Sequence, residues 1–323
     1  MHAVSDTNLA MSQTRIIVPV RNGGTRWCEA AAALRAAVPD PSLVAVVDSG
    51  SIDGSDRIAC ESGFEVERID PRTFNHGGTR QRAVDRFCQG RQVVIFLTHD
   101  AVLEGAEALV ALLAAFSDPQ VGAAYGRQLP HRGARPFERH MALFNYGTES
   151  ETRSLADAAR LGIKAAYISN SFGAYRISTL RACGGFPEHL ILGEDASVAV
   201  RMLLSGWKLR YCADACARHS HAYTILQESQ RYFDFGVLHS QLPELLRNFG
   251  AAEGEGARFV ASEARYMTDH APWLLPEVFV RNAAKYAGYR LGRAYARLPP
   301  ALCRRLSMTK VFWDSAAGAS LIR

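Results

Sequence analysis

The chain has 323 residues, which is enough for one large domain or for a domain with an appendage. Apolar residues make up 48% of it and charged residues 21%, a composition typical of globular proteins that excludes a wholly disordered chain. The net charge is +5, but residues 273–323 hold nine Lys and Arg against two Asp and Glu, so this C-terminal part carries +7 and the remainder −2.

The start of the chain and the spread of its cysteines indicate a cytoplasmic protein. The first 13 residues lack the apolar core of a secretion signal, and we expect residues 1–13 to form a flexible tail. No run of about 18 apolar residues predicts a membrane-spanning helix. The seven cysteines lack the CxxC spacing of a zinc site, and we expect them to be reduced.

Strands and helices alternate through the first hundred residues. The predicted strands are Arg15–Val20, Leu43–Val47, Phe64–Ile69 and Gln92–Leu97. The predicted helices are Trp27–Val38, Asp53–Glu61 with Asp53 as its N-cap, and Thr79–Cys88. This order predicts a mostly parallel sheet with helices on both faces, and ligands bind such sheets beyond the carboxyl ends of the strands. Asp48 and Asp100 follow the second and fourth strands.

The second half of the sequence is less regular. The elements predicted there are a helix over Val102–Phe116, an extended segment over Ala165–Tyr175, a turn over Cys183–Phe186, a helix over Gly193–Ser205 and a strand over Trp207–Tyr211. The first turn of the helix after Gly193 carries Glu194 and Asp195, and His219 and His221 lie in the loop after the last strand.

The basic C-terminus shows the pattern of an amphipathic helix. Val280, Ala284, Ala287, Leu291, Ala294 and Leu298 fall on one line of a helix, and Arg281, Lys285, Arg290, Arg293 and Arg297 fall on the other side. Such a helix could lie on an anionic membrane, or it could pack on the protein's own core with its basic face in solvent. Because no recognition motif accompanies the charge, we expect no nucleic-acid partner. The predicted division is a catalytic domain over 14–250 and a basic helical region over 251–323.

Candidate catalytic residues come from the acidic side chains, because neither a GxGxxG turn nor a GxxxxGK[ST] loop is present. Each acid also has a purely structural interpretation. Asp48 could cap a turn, Asp100 could cap the following helix, and the Glu194–Asp195 pair could complement a helix dipole. Two loop histidines are more often bound to backbone groups than to a metal.

The order of the motifs is more specific than any one of them. The motifs, from about Arg15 to Trp313, are RIIVPVRNGG, VVDSGSIDGS, FNHGGTRQRAV, VIFLTHDA, SNSFGAYR, GGF, GEDASVAVRMLLSGWKLRY, RHSHAYT and RYFDFGVLH. Together they resemble the family 2 inverting glycosyltransferases, and within that family FNHGGTR, FLTHDA and RYFDFGVLH are most similar to bacterial rhamnosyltransferases. The resemblance implies a GT-A fold, a Rossmann-like mostly parallel sheet flanked by helices, followed here by a C-terminal helical appendage.

The resemblance also implies a nucleotide-sugar donor, dTDP-L-rhamnose. Asp48 matches the strand-end acid that accepts a hydrogen bond from the nucleobase, and Pro19, Val20 and Arg21 match the loop that borders the base and ribose. The further nucleotide-binding positions it implies are Gly77 and Gly78, whose backbone allows close approach, Arg80, whose guanidinium suits a diphosphate, and His99.

A divalent cation, Mg²⁺ or Mn²⁺, is implied by the same resemblance. Asp100 matches the last acid of the family's DxD motif, which holds the metal on the diphosphate. This sequence departs from that motif, because Thr98 and His99 replace the earlier acids. His221 or His219 is the expected second protein ligand.

Transfer with inversion needs a base for the acceptor hydroxyl on one side of the sugar and charge neutralisation for the leaving diphosphate on the other. By its match to the second acid of the family's ED motif, Asp195 is the expected base, and Glu194 orients the acceptor. The expected acceptor is a glycan or a polyprenyl-diphosphate-linked glycan of surface polysaccharide (O-antigen-like) synthesis. The protein would then sit peripherally on the inner face of the plasma membrane.

Three alternatives stay open. The same fold could use another donor, such as a galactofuranosyl or another deoxyhexosyl nucleotide. A sugar nucleotidyltransferase would carry a glycine-rich loop with Arg and Lys after the first strand, which Arg21–Gly24 fits poorly. The chain could also be a non-catalytic scaffold of a polysaccharide assembly complex.

Overall fold

A nine-stranded mixed sheet lies at the centre of the computed structural model, which describes residues 11–250, 252–315, 317–318 and 321. Its strands are β1 (Thr14–Val20), β2 (Val44–Asp48), β3 (Glu65–Arg68), β4 (Val93–Leu97), β5 (Val102–Leu103), β6 (Val121–Leu129), β7 (Glu151–Arg153), β8 (Phe172–Arg176) and β9 (Lys208–Arg218). The strand order is β3-β2-β1-β4-β8-β6-β9-β5, and β7 pairs with β9. Strands β1 to β4 are parallel, as the sequence predicts, while β8 runs antiparallel to both β4 and β6.

Helices cover both faces of this sheet. In the first half they are α1 (Gly24–Ala37), α2 (Ser55–Glu61), α3 (His76–Phe87), α4 (Glu107–Ala114) and α5 (Pro136–Asn145). In the second half they are α6 (Ala158–Leu161), α7 (Ile177–Ala182), α8 (Glu194–Leu204), α9 (Ile225–Gln241), α10 (Pro243–Phe249), α11 (Ala252–His270), α12 (Leu275–Arg293), α13 (Pro300–Leu306) and α14 (Lys310–Trp313). Two apolar clusters form the core, one on each face of the sheet.

The parallel register aligns the carboxyl ends of the first strands at one edge of the sheet. Val20, the last residue of β1, lies opposite Asp48, the last residue of β2. β4 pairs with the other side of β1 and ends at Leu97, so the chain leaves the sheet at the same edge through Thr98 to Asp100. This edge therefore collects the loops on which the sequence places the nucleotide and metal ligands.

Two predicted element starts are wrong for local reasons. Asp53 is not the N-cap of α2, because Gly54 takes that position in the left-handed conformation with φ 84°. Asp53 instead accepts hydrogen bonds from Ser55 and from the backbone N–H of Gly24, so it ties α2 to the start of α1. The helix predicted over Val102–Phe116 starts only at Glu107, because Val102 and Leu103 pair with β9.

The C-terminal helices pack on α9 through glycines. A Cβ atom at Gly288 would lie 2.2 Å from the carbonyl oxygen of Ser229, and one at Gly292 would lie 2.0 Å from that of Phe233. Only glycine therefore allows α12 to approach α9 this closely. α9 precedes residue 250 in the sequence but packs against the C-terminal helices. The predicted domain boundary at residue 250 therefore stays a prediction. Of residues 1–13, the predicted tail, residues 1–10 lie outside the described part of the chain.

The faces of α12 differ from those that its sequence pattern predicts. Arg281 and Lys285 point inward and are buried in ion pairs, whereas Val280 and Leu291 of the predicted apolar line are exposed. The sequence pattern alone predicts the opposite arrangement, because it does not show that α9 and α11 place buried acids next to these cations. Among the described residues, no helix combines the length and the apolar character needed to cross a membrane.

Candidate active site

A deep cleft with a volume of about 1350 Å³ opens at the carboxyl edge of the sheet. One wall comes from the ends of β1 and β4 and from α3, and the facing wall comes from α5, α9, α11 and α12. The predicted site residues that line it are Pro19, Val20, Arg21, Arg80, His99, Asp100, Glu194, Asp195, His219 and His221. The structure therefore brings most of the predicted site into one cavity, although the residues come from distant parts of the sequence.

Asp48 lies just behind the cleft wall, next to the lining residue Ser49. Its Oδ1 atom accepts hydrogen bonds from the backbone N–H groups of Gly50 and Ser51, at 3.0 and 2.9 Å. Its Oδ2 atom is buried and accepts no hydrogen bond from any residue that the structure describes. Since buried acceptors are nearly always paired, this oxygen is suited to an N–H donor from a ligand.

Gly77 and Gly78 lie in the first turn of α3 and do not line the cleft. A Cβ atom at Gly77 would come within 1.8 Å of the carbonyl oxygen of Pro187, and one at Gly78 would lie 3.0 Å from the side chain of Glu188. The two glycines therefore make room for the loop that precedes α8, which differs from the expected approach to a nucleotide.

The acidic pair Glu194 and Asp195 lies at the start of α8, where Gly193 with φ 75° forms the N-cap. Glu194 is buried, and its Oε1 atom lies 2.9 Å from Arg80 Nη1 and accepts a hydrogen bond of 2.9 Å from Asn170 Nδ2. Asp195 is half-buried and accepts hydrogen bonds from the backbone N–H groups of Ala196 and Asn170, at 2.8 and 3.2 Å. The two acids thus have different partners.

The surroundings also shift the pKa values of the two acids in opposite directions. Burial alone would raise the pKa of Glu194, but Arg80, His76 and Asn170 together bring it below its ordinary value. Burial, together with the negative charge of Glu194, raises the pKa of Asp195 to about 6. Glu194 is therefore held as a carboxylate, while Asp195 can take up a proton near neutral pH.

Asp100, His219 and His221 form a cluster that could hold a metal ion, with one ligand atom from each lying within 4.8 Å of the others. Asp100 Oδ2 lies 3.5 Å from His219 Nε2 and 3.6 Å from His221 Nδ1. Burial alone would raise the pKa of Asp100, but the three neighbouring imidazoles bring it below its ordinary value. His219 and His221, which the sequence gives as alternative metal ligands, thus both lie close to Asp100.

A hydrogen bond fixes the orientation of the His219 ring. Its Nδ1 atom lies 2.8 Å from Gln128 Oε1, and Gln128 in turn donates to Ser169. Because an amide oxygen only accepts, His219 Nδ1 carries the proton and Nε2 presents its lone pair to Asp100 and the cleft. Burial lowers the pKa of His219 to about 4, so the imidazole is neutral at pH 7. One carboxylate and two neutral imidazoles fit a divalent transition metal better than Mg²⁺, which prefers oxygen ligands.

Asn170 belongs to the site, although the sequence alone does not point to it. Its backbone N–H binds Asp195, its side-chain NH₂ binds Glu194, and its Oδ1 atom accepts a hydrogen bond of 2.7 Å from Tyr175. It therefore links both acids to β8. The motif SNSFGAYR contains Asn170 and Tyr175, but only the fold shows that its loop faces the start of α8.

The wall opposite the sheet is rich in aromatic and aliphatic side chains. Its apolar lining includes Phe137, Phe144, Tyr232, Phe259 and Tyr286. The same wall carries an ion-pair network in which Lys285 Nζ is 3.8 Å from Glu228 and 3.7 Å from Glu263. The cleft therefore continues along this wall, away from the sheet edge.

Comparison with known proteins agrees with this architecture. Residues 10–233 match the family described as Glycosyltransferase like family 2. The chain is 45% identical to the O-antigen chain rhamnosyltransferase WbaN of Salmonella anatum over 306 residues, which cover 94% of this chain and 97% of that protein. It is 43% identical to the O-antigen chain rhamnosyltransferase RfbN of Salmonella typhimurium over 301 residues, 93% of this chain and 96% of that one.

Solved structures of glycosyltransferases share the fold at low sequence identity. The mannosyltransferase PcManGT from Pyrobaculum calidifontis, solved with GDP-Man and Mn²⁺, superposes with a TM-score of 0.52 at 19% identity, covering 96% of this chain and 86% of that one. TarS from S. aureus superposes with a TM-score of 0.52 at 16% identity, covering 88% of this chain and 91% of that one. The sheet order and the flanking helices are therefore those of the GT-A fold.

Proposed function

The chain belongs to the glycosyltransferase-like family 2, and from this membership we propose that it transfers L-rhamnose from dTDP-L-rhamnose to a lipid-linked or polysaccharide acceptor in O-antigen-like synthesis. The names of the two curated relatives support the sugar and the pathway class. The observation that carries the catalytic part is the position of Asp195, a half-buried carboxylate in the cleft with a pKa of about 6.

Asp195 acts as the general base in this proposal. It removes the proton of the acceptor hydroxyl while that oxygen bonds to the anomeric carbon and the bond from that carbon to the diphosphate oxygen breaks. Attack from the face opposite the leaving group inverts the anomeric centre. A base with a pKa near 6 is largely deprotonated at pH 7 and still basic enough to accept the proton.

Glu194 serves as a fixed negative charge rather than as a second base. Arg80 and Asn170 both bind its Oε1 atom, so its position is set before substrates arrive. Its charge raises the pKa of Asp195, and its free oxygen can accept a hydrogen bond from the acceptor. Arg80 lines the cleft, but its guanidinium is engaged by Glu194 and by the carbonyl of His76, so we assign it to positioning the acid pair.

Asp100, His219 and His221 are the proposed ligands of a divalent cation, Mn²⁺ in preference to Mg²⁺. When bound, this cation would neutralise the negative charge that develops on the departing diphosphate. Two imidazole nitrogens in the ligand set favour Mn²⁺ over Mg²⁺. Gln128 holds the His219 ring in the tautomer that a metal needs.

The nucleotide lies at the sheet end of the cleft in this proposal. Pro19, Val20 and Arg21 border the base and ribose, and His99 lies between this loop and Asp100. The buried Oδ2 atom of Asp48, which lacks a partner among the described residues, would accept the hydrogen bond from the base imide. Asp48 itself does not line the cavity, but its neighbour Ser49 does.

The acceptor lies along the aromatic wall, and the C-terminal helices hold the protein peripherally on the inner face of the plasma membrane. Away from the cleft, α12 exposes Phe279 by 70% and Val280 by 55%, and the same helix carries the exposed basic residues Arg290 and Arg293. Exposed aromatic and basic side chains together are typical of a surface that binds anionic lipid.

A donor-hydrolysis screen tests the activity directly. The purified chain would be incubated with dTDP-rhamnose, with galactofuranosyl and other deoxyhexosyl nucleotides, and with Mn²⁺, Mg²⁺ or a chelator. We expect release of dTDP from dTDP-rhamnose, fastest with Mn²⁺. Preference for another nucleotide would reassign the donor, while a scaffold would neither hydrolyse nor bind any of them in calorimetry.

A further inference from the structure

Among the residues that the structure describes, three basic side chains of the cleft have no acidic partner. Most of its Lys and Arg residues pair with carboxylates, namely Arg80 with Glu194, Arg135 with Glu277, Lys164 with Glu255, and Arg281 and Lys285 with Glu228. Within the part of the chain that the structure describes, Arg21, Arg231 and Lys310 form no ion pair and their side chains form no hydrogen bond. Arg21 lies at the nucleotide end of the cleft, whereas the other two belong to the helical wall.

Arg231 lies in the middle of the face that α9 turns to the cleft. The residues of this face are Glu228, Arg231, Tyr232, Phe235, Leu238 and His239. Its guanidinium lies 5.0 Å from the ring centre of Phe235, a contact that orients it and leaves its N–H groups available. Burial lowers the pKa of His76 to about 4, and the charges of Arg80 and Arg231 add to this effect. Arg231 is therefore close enough to His76, which lines the cleft, for its charge to act there.

Lys310 reaches the cleft because Asp234 holds the segment before it. The buried carboxylate of Asp234 accepts hydrogen bonds from Ser307 Oγ at 2.6 Å, from Met308 N at 3.1 Å and from Thr309 N at 3.0 Å. Asp234 is three residues after Arg231 and so lies on the same side of α9. The segment that it holds lines the cleft with Met308, Thr309 and Lys310.

We propose that Arg231 and Lys310 form a diphosphate-binding subsite on the helical wall of the cleft. A guanidinium presents paired N–H donors to phosphate oxygens, and an ammonium adds a mobile point charge. Arg231 is half-buried and Lys310 is exposed, so both side chains can meet an anionic ligand that enters the cleft.

This inference rests on the proposed function, which supplies two sources of a diphosphate. One is the nucleoside diphosphate that leaves the donor, and the other is the diphosphate of a lipid-linked acceptor. The second source is favoured because Val311, the neighbour of Lys310, and Val260 both line the cleft and are 39% and 38% exposed. An isoprenoid chain attached to the diphosphate would leave the cleft over these side chains.

Direct binding measurements test the subsite without relying on sugar transfer. Calorimetry would measure the affinities of inorganic diphosphate, farnesyl diphosphate and dTDP for the wild type, for Arg231→Gln, for Lys310→Gln and for the double variant. Arg297→Gln is the matched control, because Arg297 is an exposed basic residue of the same region that does not line the cleft.

We expect the double variant to bind farnesyl diphosphate at least about tenfold more weakly, with the control unchanged. Unchanged binding of dTDP would assign the subsite to the acceptor, and a parallel loss of dTDP binding would assign it to the donor. Equal binding of all three probes to the wild type and the double variant would overturn the proposal. The proposed function fails by a different result, namely that the wild type hydrolyses no nucleotide sugar, whatever its affinity for diphosphates. The two failures can therefore be distinguished.

Discussion

Arg80 Nη1 lies 2.9 Å from Glu194 Oε1 in a buried ion pair at the bottom of the cleft. A buried carboxylate that is bound by a guanidinium and by Asn170 is poorly suited to accept a proton during turnover, because protonation would leave the Arg80 charge without a partner. Asp195, whose hydrogen bonds within the described part of the chain come from backbone N–H groups, has no such restriction. The pair therefore divides into a fixed charge and a base, although the two acids are adjacent in sequence.

Replacement of the base should abolish transfer and leave donor binding intact. We expect Asp195→Asn to lower kcat by about 10²–10⁴-fold, because the acceptor hydroxyl then keeps its proton during attack. The dissociation constant for dTDP should change less than about twofold, since Asp195 faces the acceptor side. Asp269→Asn is the control, as Asp269 is exposed on α11. Turnover of the Asp195→Asn variant at the wild-type rate would exclude Asp195 as the base.

The pH dependence of turnover should report the pKa of Asp195. The base works as a carboxylate, so kcat should fall as the pH decreases through about 6 and reach a plateau above it. Glu194→Gln removes a negative charge that raises this pKa, so its midpoint should lie at lower pH. Arg80→Gln removes a positive charge that lowers it, so its midpoint should lie at higher pH. The pH profiles of kcat at saturating substrate concentrations measure the midpoints of the wild type and the two variants. Identical midpoints would contradict the assignment of Asp195 as the base.

Much of the fold and the site can be predicted from the sequence, because apolar runs mark β1, β2 and β4 and place Asp48 and Asp100 at strand ends. The resemblance of the motifs adds the acid pair and the histidines. The positions of Asn170 and Gln128 could not be predicted in this way, because their roles depend on contacts across the sheet.

The inward orientation of Arg281 and Lys285 shows a second limit of sequence reasoning. Helical periodicity places charged residues on the solvent side, and this rule holds unless another element supplies buried counter-charges. Glu228 on α9 and Glu263 on α11 supply them here. The sequence does not show that these two helices pack against α12. Periodicity alone therefore predicts that the apolar line of α12 is buried, whereas part of it is exposed.

Gln128 should control the affinity of the metal cluster without touching the metal. Gln128→Leu removes the acceptor that fixes the His219 tautomer, so we expect the dissociation constant for Mn²⁺ to rise by about 10–100-fold. Electron paramagnetic resonance titration of Mn²⁺ in the presence of dTDP measures it. Gln120→Leu is the matched control, because Gln120 is exposed at a distance from the cleft. Equal affinities in the two variants would show that Gln128 does not support a metal ligand.

The exposed side of α12 should govern binding to anionic vesicles. We expect the double variant Phe279→Ser, Val280→Ser to bind phosphatidylglycerol vesicles at least about tenfold more weakly, since each side chain would lose about 1.5–3 kcal/mol of transfer free energy. Flotation with phosphatidylglycerol and with phosphatidylcholine vesicles measures this. Leu204→Ser is the control, because Leu204 is 41% exposed but belongs to α8. Recovery of the double variant at the wild-type level would remove α12 from the membrane surface.

Asp234 should stabilise the fold through the segment that it holds beside the cleft. Asp234→Ala leaves the hydroxyl of Ser307 and the N–H of Met308 without their acceptor and leaves the N–H of Thr309 with Ser307 Oγ alone, so we expect the free energy of unfolding to fall by about 2–4 kcal/mol. Asp314→Ala is the matched control, since Asp314 is a half-exposed partner of Arg304 and its loss should cost less than about 1 kcal/mol. Urea unfolding followed by circular dichroism compares the two variants. Equal losses would mean that the Asp234 hydrogen bonds add little, and the placement of Lys310 would then need another cause.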